Sequence, residues 1–185
     1  KYAEEVYPGL DNQKATAYYN VAALLIDLSL YDDAKEKLFK ILDISKAIND
    51  YYLLDIEKAK TLTKYQQEEL LLFFSKVTNS LGLVHEKTSE FKTSLYYYDW
   101  SYDTLLLLDQ NMDEEDKDKL DYSFFAYYNN TGNLLSLMGD YETASHRLNE
   151  ALYTFEKMFD YEHYYLISPL NSIALNFLRQ KKPIE

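Results

Sequence analysis

Asn79, Asn129 and Asn171 fall at one register of three look-alike stretches, and Tyr19 takes that register in a fourth. An amide carries two N–H donors and a carbonyl acceptor, so a row of them can hold the backbone of an extended peptide whatever its side chains. Asn133 lies about one helical turn beyond Asn129, where the other stretches carry Ala23, Leu83 and Leu175. By the same alignment Lys76, Lys87 and Arg179 project to this side and could take an acidic group on a ligand. The same amides could instead bond to neighbouring helices and hold their stacking, and spacing alone leaves both roles open.

Other chemistry has little support in the residue pattern. His85, His146 and His163 are far apart and form no HExxH or His-x-x-x-His pair, so no metal is expected. There is no GxSxG elbow, no P-loop and no GxGxxG, so neither a nucleophilic serine nor a nucleotide cofactor is indicated. With 0 cysteines, disulfides, thiolate metal sites and cysteine nucleophiles drop out together. The expectation is a protein without catalytic residues, cofactor or metal. The triplet Asn129, Asn130, Thr131 is formally a glycosylation acceptor, but its place inside a helix argues against use.

The elements that would carry these amides read as helices. Gly132 and Gly139 are seven residues apart, about two turns, so a small residue on one face is followed by a glycine able to end the helix in the left-handed conformation. Tyr141, Ala144, Leu148 and Ala151 continue as an apolar stripe with alanines where another backbone must come near. The pattern recurs as Ala22, Ser29, Tyr31, Ala34, Leu38 and Ile41. It recurs again, with serine in place of alanine, as Gly82, Ser89, Phe91, Ser94, Tyr98 and Ser101. A fourth copy begins near Asn171, with Ala174 lying 42 residues after Gly132. The aromatic markers Tyr31, Phe91 and Tyr141 are 60 and 50 residues apart, an irregular step.

The spacing predicts helices over 13–28, 31–49, 64–87, 90–109, from Asp113 to Met138, over 141–159 and onward from Pro169, with Ser168 a cap for the last. Thr63 and Gln66 fit a capping box, and Asp113 a carboxylate N-cap. The stretch 50–62 reads as an extension or as a short helix of its own. Residues Asp109 to Asp121 hold seven acids, which read as a solvated helix start rather than a docking site. Most tyrosines fall on apolar stripes and are expected in the core; Tyr19 and Tyr127 are placed at or beside the amide row.

These hairpins resemble the tetratricopeptide repeat over almost the whole chain, although the family's period of about 34 residues is never met. The 42-residue step is similar to a longer subclass found in kinesin light chains, with His163, Asn171, Ile173 and Ala174 in matching places, Tyr164 where that subclass has proline, and Ser172 replacing an asparagine. The resemblance implies an all-α, right-handed α-α superhelix of three helix pairs plus a final single helix. The repeats would cover 13–49, 64–109, 113–159 and 165–182 as one domain. It further implies that first helices line a concave face where Tyr19, Asn79, Asn129, Asn133 and Asn171 hold a linear peptide or partner helix. The family's clamp for acidic chaperone tails is not implied, because Thr16, Asn20 and Asp27 stand where bases are required. Alternatives are a structural subunit of a large assembly and a peptide-sensing regulator.

Composition narrows the partners. The chain has 185 residues, 47% of them hydrophobic, with only 4 Gly and 3 Pro, which suits a helical fold able to bury a core. A net charge of −12, from 31 acids against 19 Lys and Arg, argues against nucleic acid and for a neutral or basic protein partner. Apolar runs such as Leu70 to Phe74 are far below the ~18 residues of a membrane span. With no leader pattern and 0 cysteines, a cytoplasmic setting is expected, and Lys1 suggests a piece of a longer protein.

Overall fold

In the computed structural model, residues 12–53, 63–159 and 166–180 are described. The stretch 54–62, the junction 160–165 that carries His163 and Tyr164, and the two ends of the chain lie outside them. Among the described residues there are seven α-helices and no strand: α1 (Asn12–Asp27), α2 (Tyr31–Leu53), α3 (Lys64–Lys87), α4 (Phe91–Asn111), α5 (Asp118–Met138), α6 (Tyr141–Met158) and α7 (Ile167–Gln180). A single 3-10 turn, Glu114–Asp116, interrupts the connection between α4 and α5. Among these residues no helix is long and apolar enough to cross a membrane.

Three tight turns join α1 to α2, α3 to α4 and α5 to α6, and they share one geometry. Ser29, Ser89 and Gly139 occupy the left-handed region at φ 60°, 63° and 88°. In each turn the following N–H closes back five residues: Leu30 to the Leu25 carbonyl at 2.8 Å, Glu90 to His85 at 2.8 Å and Asp140 to Leu135 at 3.0 Å. This is the double bond pattern that satisfies the last carbonyls of a helix and reverses the chain. Glycine meets this demand without strain; the two serines do so against the crowding of Cβ by the carbonyl.

Behind each turn the two helices cross at a small residue. Ala22 and Ala34 are both fully buried, as are Leu38 and Ile41. In the middle pair Gly82 lies under the ring of Tyr98, and in the third pair Gly132 lies under Leu148. The serines that replace alanines in α4 are buried but not orphaned. Ser94 Oγ donates to the Gly82 carbonyl at 2.7 Å, and Ser101 Oγ to the Ser75 carbonyl at 2.8 Å. Tyr98, also fully buried, donates its hydroxyl to Glu86 Oε2 at 3.2 Å. These bonds remove most of the cost of burying hydroxyls in a crossing that alanine would fill without them.

The helices pack in sequence order, most extensively α3 on α4 and α5 on α6, while α3 also meets α1 and α5, and α5 meets α7. The core is therefore strung out as successive clusters, one around Leu38, Ile41 and Val77, another around Tyr98, Tyr127 and Leu134, a third around Phe125, Ala151 and Phe155. Each stretch of core depends on its neighbours in the row.

Several local expectations change. The helix expected to end at residue 49 continues to Leu53. Asp113 does not cap α5: it precedes the 3-10 turn without a side-chain cap bond, and its Oδ1 instead meets Lys64 Nζ at 2.9 Å. The helix start shifts to Asp118 because Glu114–Asp116 form their own turn. Ser168 lies inside α7 rather than before it. Tyr127 is 2% exposed, stacked on Tyr102 at 4.4 Å, so it is a core residue and not a groove residue. By contrast, Thr63 and Gln66 form the reciprocal capping box, with Thr63 accepting from the Gln66 N–H at 3.2 Å.

Candidate functional site

The packing of α3 against α5, with α1 at one edge, leaves an open pocket of about 490 Å³. Helical spacing selects what reaches it. From α3 come Ser75, Lys76 and Asn79; from α5 come Tyr122, Ala126, Asn129 and Asn130, four positions on one face of that helix. Tyr19 closes the α1 side, and Ser101 of α4 together with Ser123 and Phe125 forms the floor.

The floor is quiet chemically. Ser75 Oγ donates to the Leu72 carbonyl at 2.8 Å and Ser101 to the Ser75 carbonyl, so both hydroxyls are engaged. The rim is less satisfied. Asn130 Nδ2 stands 3.5 Å from Asn79 Oδ1, a stretched contact that links the two amide-bearing helices across the pocket. Asn129 Oδ1 is buried and has no hydrogen-bond partner among the described residues. A buried carbonyl left without a donor costs on the order of 1–3 kcal/mol, which an N–H or O–H brought by a ligand would recover.

Tyr19 is held by its neighbours. Its hydroxyl lies 3.2 Å from Ser80 Oγ, its ring meets Phe73 edge-on at 5.7 Å, and burial pushes its hydroxyl above the ordinary tyrosine value. It serves as a neutral wall. Among the described residues the single charge in the lining is Lys76, exposed and without an ion pair there. Among the described residues no carboxylate lines the pocket, in a chain with 31 acids.

Of the residues expected from sequence, Tyr19, Lys76, Asn79 and Asn129 are brought together. The other four are elsewhere. Asn133 donates to Ser172 Oγ of α7 at 3.1 Å, and Arg179 of α7 donates to Ser136 Oγ of α5 at 3.1 Å, so both hold one helix on another. Asn171 is exposed on α7, and Lys87 pairs with Glu86 at 3.2 Å. Sequence reading missed Tyr122, Ala126 and Asn130, although their spacing from Asn129 marks one helical face; Ser101 was beyond reach because it belongs to a second helix.

A polar network lies at the joint between α2 and the α3–α4 turn. Lys35 bonds Glu90 and donates to Thr88 Oγ1 at 3.1 Å, while His85 Nδ1 lies 3.0 Å from Glu90 Oε2. The Lys35 ammonium, then Thr88 and His85, hold the Glu90 carboxyl down at about 2. Burial lowers the His85 imidazole below its usual value against the pull of Glu90. Along the row, Arg147 of α6 sits over the rings of Tyr102, Tyr127 and Tyr128 at 5.5–5.9 Å, and burial raises Tyr127 to about 12. Both clusters tie successive helix pairs together.

No protein-family model, curated protein or solved structure matches the chain.

Proposed function

We propose that this chain is a helical-repeat interaction module of the tetratricopeptide type, which captures a linear peptide or partner helix on the face of its first helices. The observation that carries this reading is the convergence of Asn79, Asn129 and Asn130 on one open pocket, with Asn129 Oδ1 buried and unpartnered. Amides from successive first helices offer donors and acceptors at the spacing of a backbone, and a peptide N–H is the complement of the Asn129 carbonyl. Ala126, Phe125 and the Tyr19 ring give the apolar contact that such contacts need for affinity.

Charge acts at two ranges. The field of a chain at −12 draws in a basic or neutral partner. The part seated over the pocket is uncharged or carries one carboxylate for Lys76, since among the described residues no acid lines the site to meet a cation. The role is binding, with no catalytic step or cofactor, in a cytoplasmic setting.

Selection from a displayed library of short peptides, on the wild type and on Asn129→Ala, tests the reading. Recovery of a shared motif by the wild type alone, with the two proteins melting at the same temperature, supports it. Equal recovery by both, or none by either, removes it. A structural subunit within a larger assembly is the second reading, and the outward apolar side of α7 favours it.

A further inference from the structure

Among the described residues three buried side-chain atoms have no hydrogen-bond partner: His85 Nε2, Asn129 Oδ1 and Asn176 Oδ1. His85 and Asn176 are held through their other polar atom, the first by Glu90 at 3.0 Å and the second by the Tyr141 carbonyl at 3.1 Å and Ser145 Oγ at 2.8 Å. Neither belongs to the pocket wall, whereas Asn129 does. In the same wall Asn130 Nδ2 stands 3.5 Å from Asn79 Oδ1, longer than an ordinary N–H···O bond. The pocket therefore offers one buried acceptor without a donor, and a further donor and acceptor that satisfy each other poorly.

Elementary chemistry sorts the groups that complete this set. An ammonium or guanidinium is disfavoured, because among the described residues the lining holds no carboxylate and Lys76 adds a like charge. A carboxylate sets acceptor against acceptor at Asn129. A hydroxyl donates to Asn129 but leaves Asn79 and Asn130 as they stand. A backbone N–H is flanked by its own chain on both sides, so it reaches a buried atom less readily than an NH2 at the tip of a side chain. A primary carboxamide carries two N–H donors and one carbonyl, the complement of two amide oxygens and one amide N–H.

We propose that the pocket selects peptides by a side-chain carboxamide, that of glutamine or asparagine, seated between Asn129 and the Asn79–Asn130 pair; the assignment rests on the pocket being a peptide site. One N–H goes to Asn129 Oδ1 and the other to Asn79 Oδ1, while the carbonyl accepts from Asn130 Nδ2. The methylene stem lies against Phe125, Ala126 and the Tyr19 ring. The Tyr19 hydroxyl, 3.2 Å from Ser80 Oγ, keeps its own partner. A volume of about 490 Å³ is within the range of ligand sites and takes the side chain with a length of backbone. Lys76, exposed, is left for a carboxylate elsewhere on the same peptide.

The probes are the tripeptides Ala-Gln-Ala, Ala-Met-Ala and Ala-Glu-Ala, capped by acetyl and N-methylamide groups so that the ends bring no primary amide, and free L-glutamine as the other source of a carboxamide. Each is titrated into the isotope-labelled full chain while the side-chain amide signals of Asn79, Asn129 and Asn130 are followed by NMR. Saturable shifts with the glutamine tripeptide are expected, with the other three probes and the Asn129→Ala variant at least about tenfold weaker. The comparison between probes is made on the wild type, so it holds whatever the variant's stability. Equal binding of the methionine tripeptide overturns the proposal in favour of backbone capture and leaves the peptide-site reading in place. Equal binding of the glutamate tripeptide overturns it and gives the pocket to Lys76, and equal binding of free glutamine overturns it in favour of a small amide. Absence of shifts with every probe overturns it as well, while the peptide-site reading then stands or falls on the library selection alone.

Discussion

A methyl group placed on Gly82 would lie 2.4 Å from Cδ1 of Tyr98, closer than any real contact of that kind. Tyr98 cannot withdraw, because it is fully buried and its hydroxyl is tied to Glu86. Gly82→Ala should therefore destabilise the fold by about 1–3 kcal/mol through forced displacement of the helix pair. Gly132→Ala meets Cγ and Cδ2 of Leu148 at 2.7 Å, a side chain that can turn, and its backbone N at 3.2 Å, a less severe clash than at Gly82, and should lose less. Urea unfolding of the two variants checks the order, and equal losses would show that ring rigidity is not the cause.

The turns give a second expectation. Ser89 holds φ 63° with its side chain exposed, whereas Gly139 holds φ 88° with nothing within 4 Å of an added Cβ. Ser89→Gly relieves left-handed strain but loosens the unfolded chain, for a net gain of about 0.5 kcal/mol. Gly139→Ser imposes the strain, offset in part by a stiffer unfolded chain, and should cost about 0.5 kcal/mol. Thermal melts of both are enough to test the opposite signs.

The Lys35–Glu90–His85 network makes stability acid-sensitive in two stages. The folded His85 value is depressed below 6.5, so the unfolded chain binds the proton first, and stability is lost as pH falls through and below 6.5. Glu90 is depressed from 4.5 to about 2, so its contribution is present above 4.5 and lost as pH falls toward 2. In Glu90→Gln the second stage should flatten while the first persists. Melting temperature against pH for the two proteins is the measurement.

Asn129 and Asn133 should separate cleanly. Asn133→Ala removes the bond to Ser172 and should cost about 0.5–1.5 kcal/mol, with the loss confined to docking of α7. Asn129→Ala removes an unpartnered buried carbonyl and should leave stability level or raise it, while weakening peptide capture. Hydrogen exchange of α7 amides beside peptide titration distinguishes them; protection lost equally in both would deny the division of roles.

Lys76→Glu reverses the single charge that the described residues give the pocket lining. A selected peptide carrying one carboxylate should then bind about tenfold more weakly, and a carboxamide version of it should be indifferent to the change. Titration of both peptides at low and physiological salt reads this directly.

Much of the local architecture was legible in the residues. The span of α3, Lys64–Lys87, follows from the Thr63 and Gln66 cap and from the turn after Lys87, since these are contacts within a few residues. The small residues at Ala22, Gly82 and Gly132 announce close crossings for the same reason. Asp113 misled because two lysines compete for this acidic run: Lys64 takes its carboxylate, and Lys117 bonds Glu114 at 2.8 Å within the turn that delays α5. Tyr127 misled because alignment gives a register but not the neighbour that fills the space beside it.

From sequence alone come the helices, the left-handed turn at Gly139 and the repeated crossings, because each is specified by residues close in the chain and by the period of the apolar stripe, whereas the left-handed Ser29 and Ser89 carry no such residue signal. The fate of like side chains was decided only in three dimensions. Asn129 and Asn133 are one turn apart on α5, yet Asn133 meets Ser172 while Asn129 Oδ1 meets nothing, because α7 stands over one and the pocket beside the other. An amide's chemistry is written in its residue type; whether a neighbouring helix or an incoming ligand satisfies it depends on which backbone comes within about 3 Å, and that is set by packing between helices far apart in sequence.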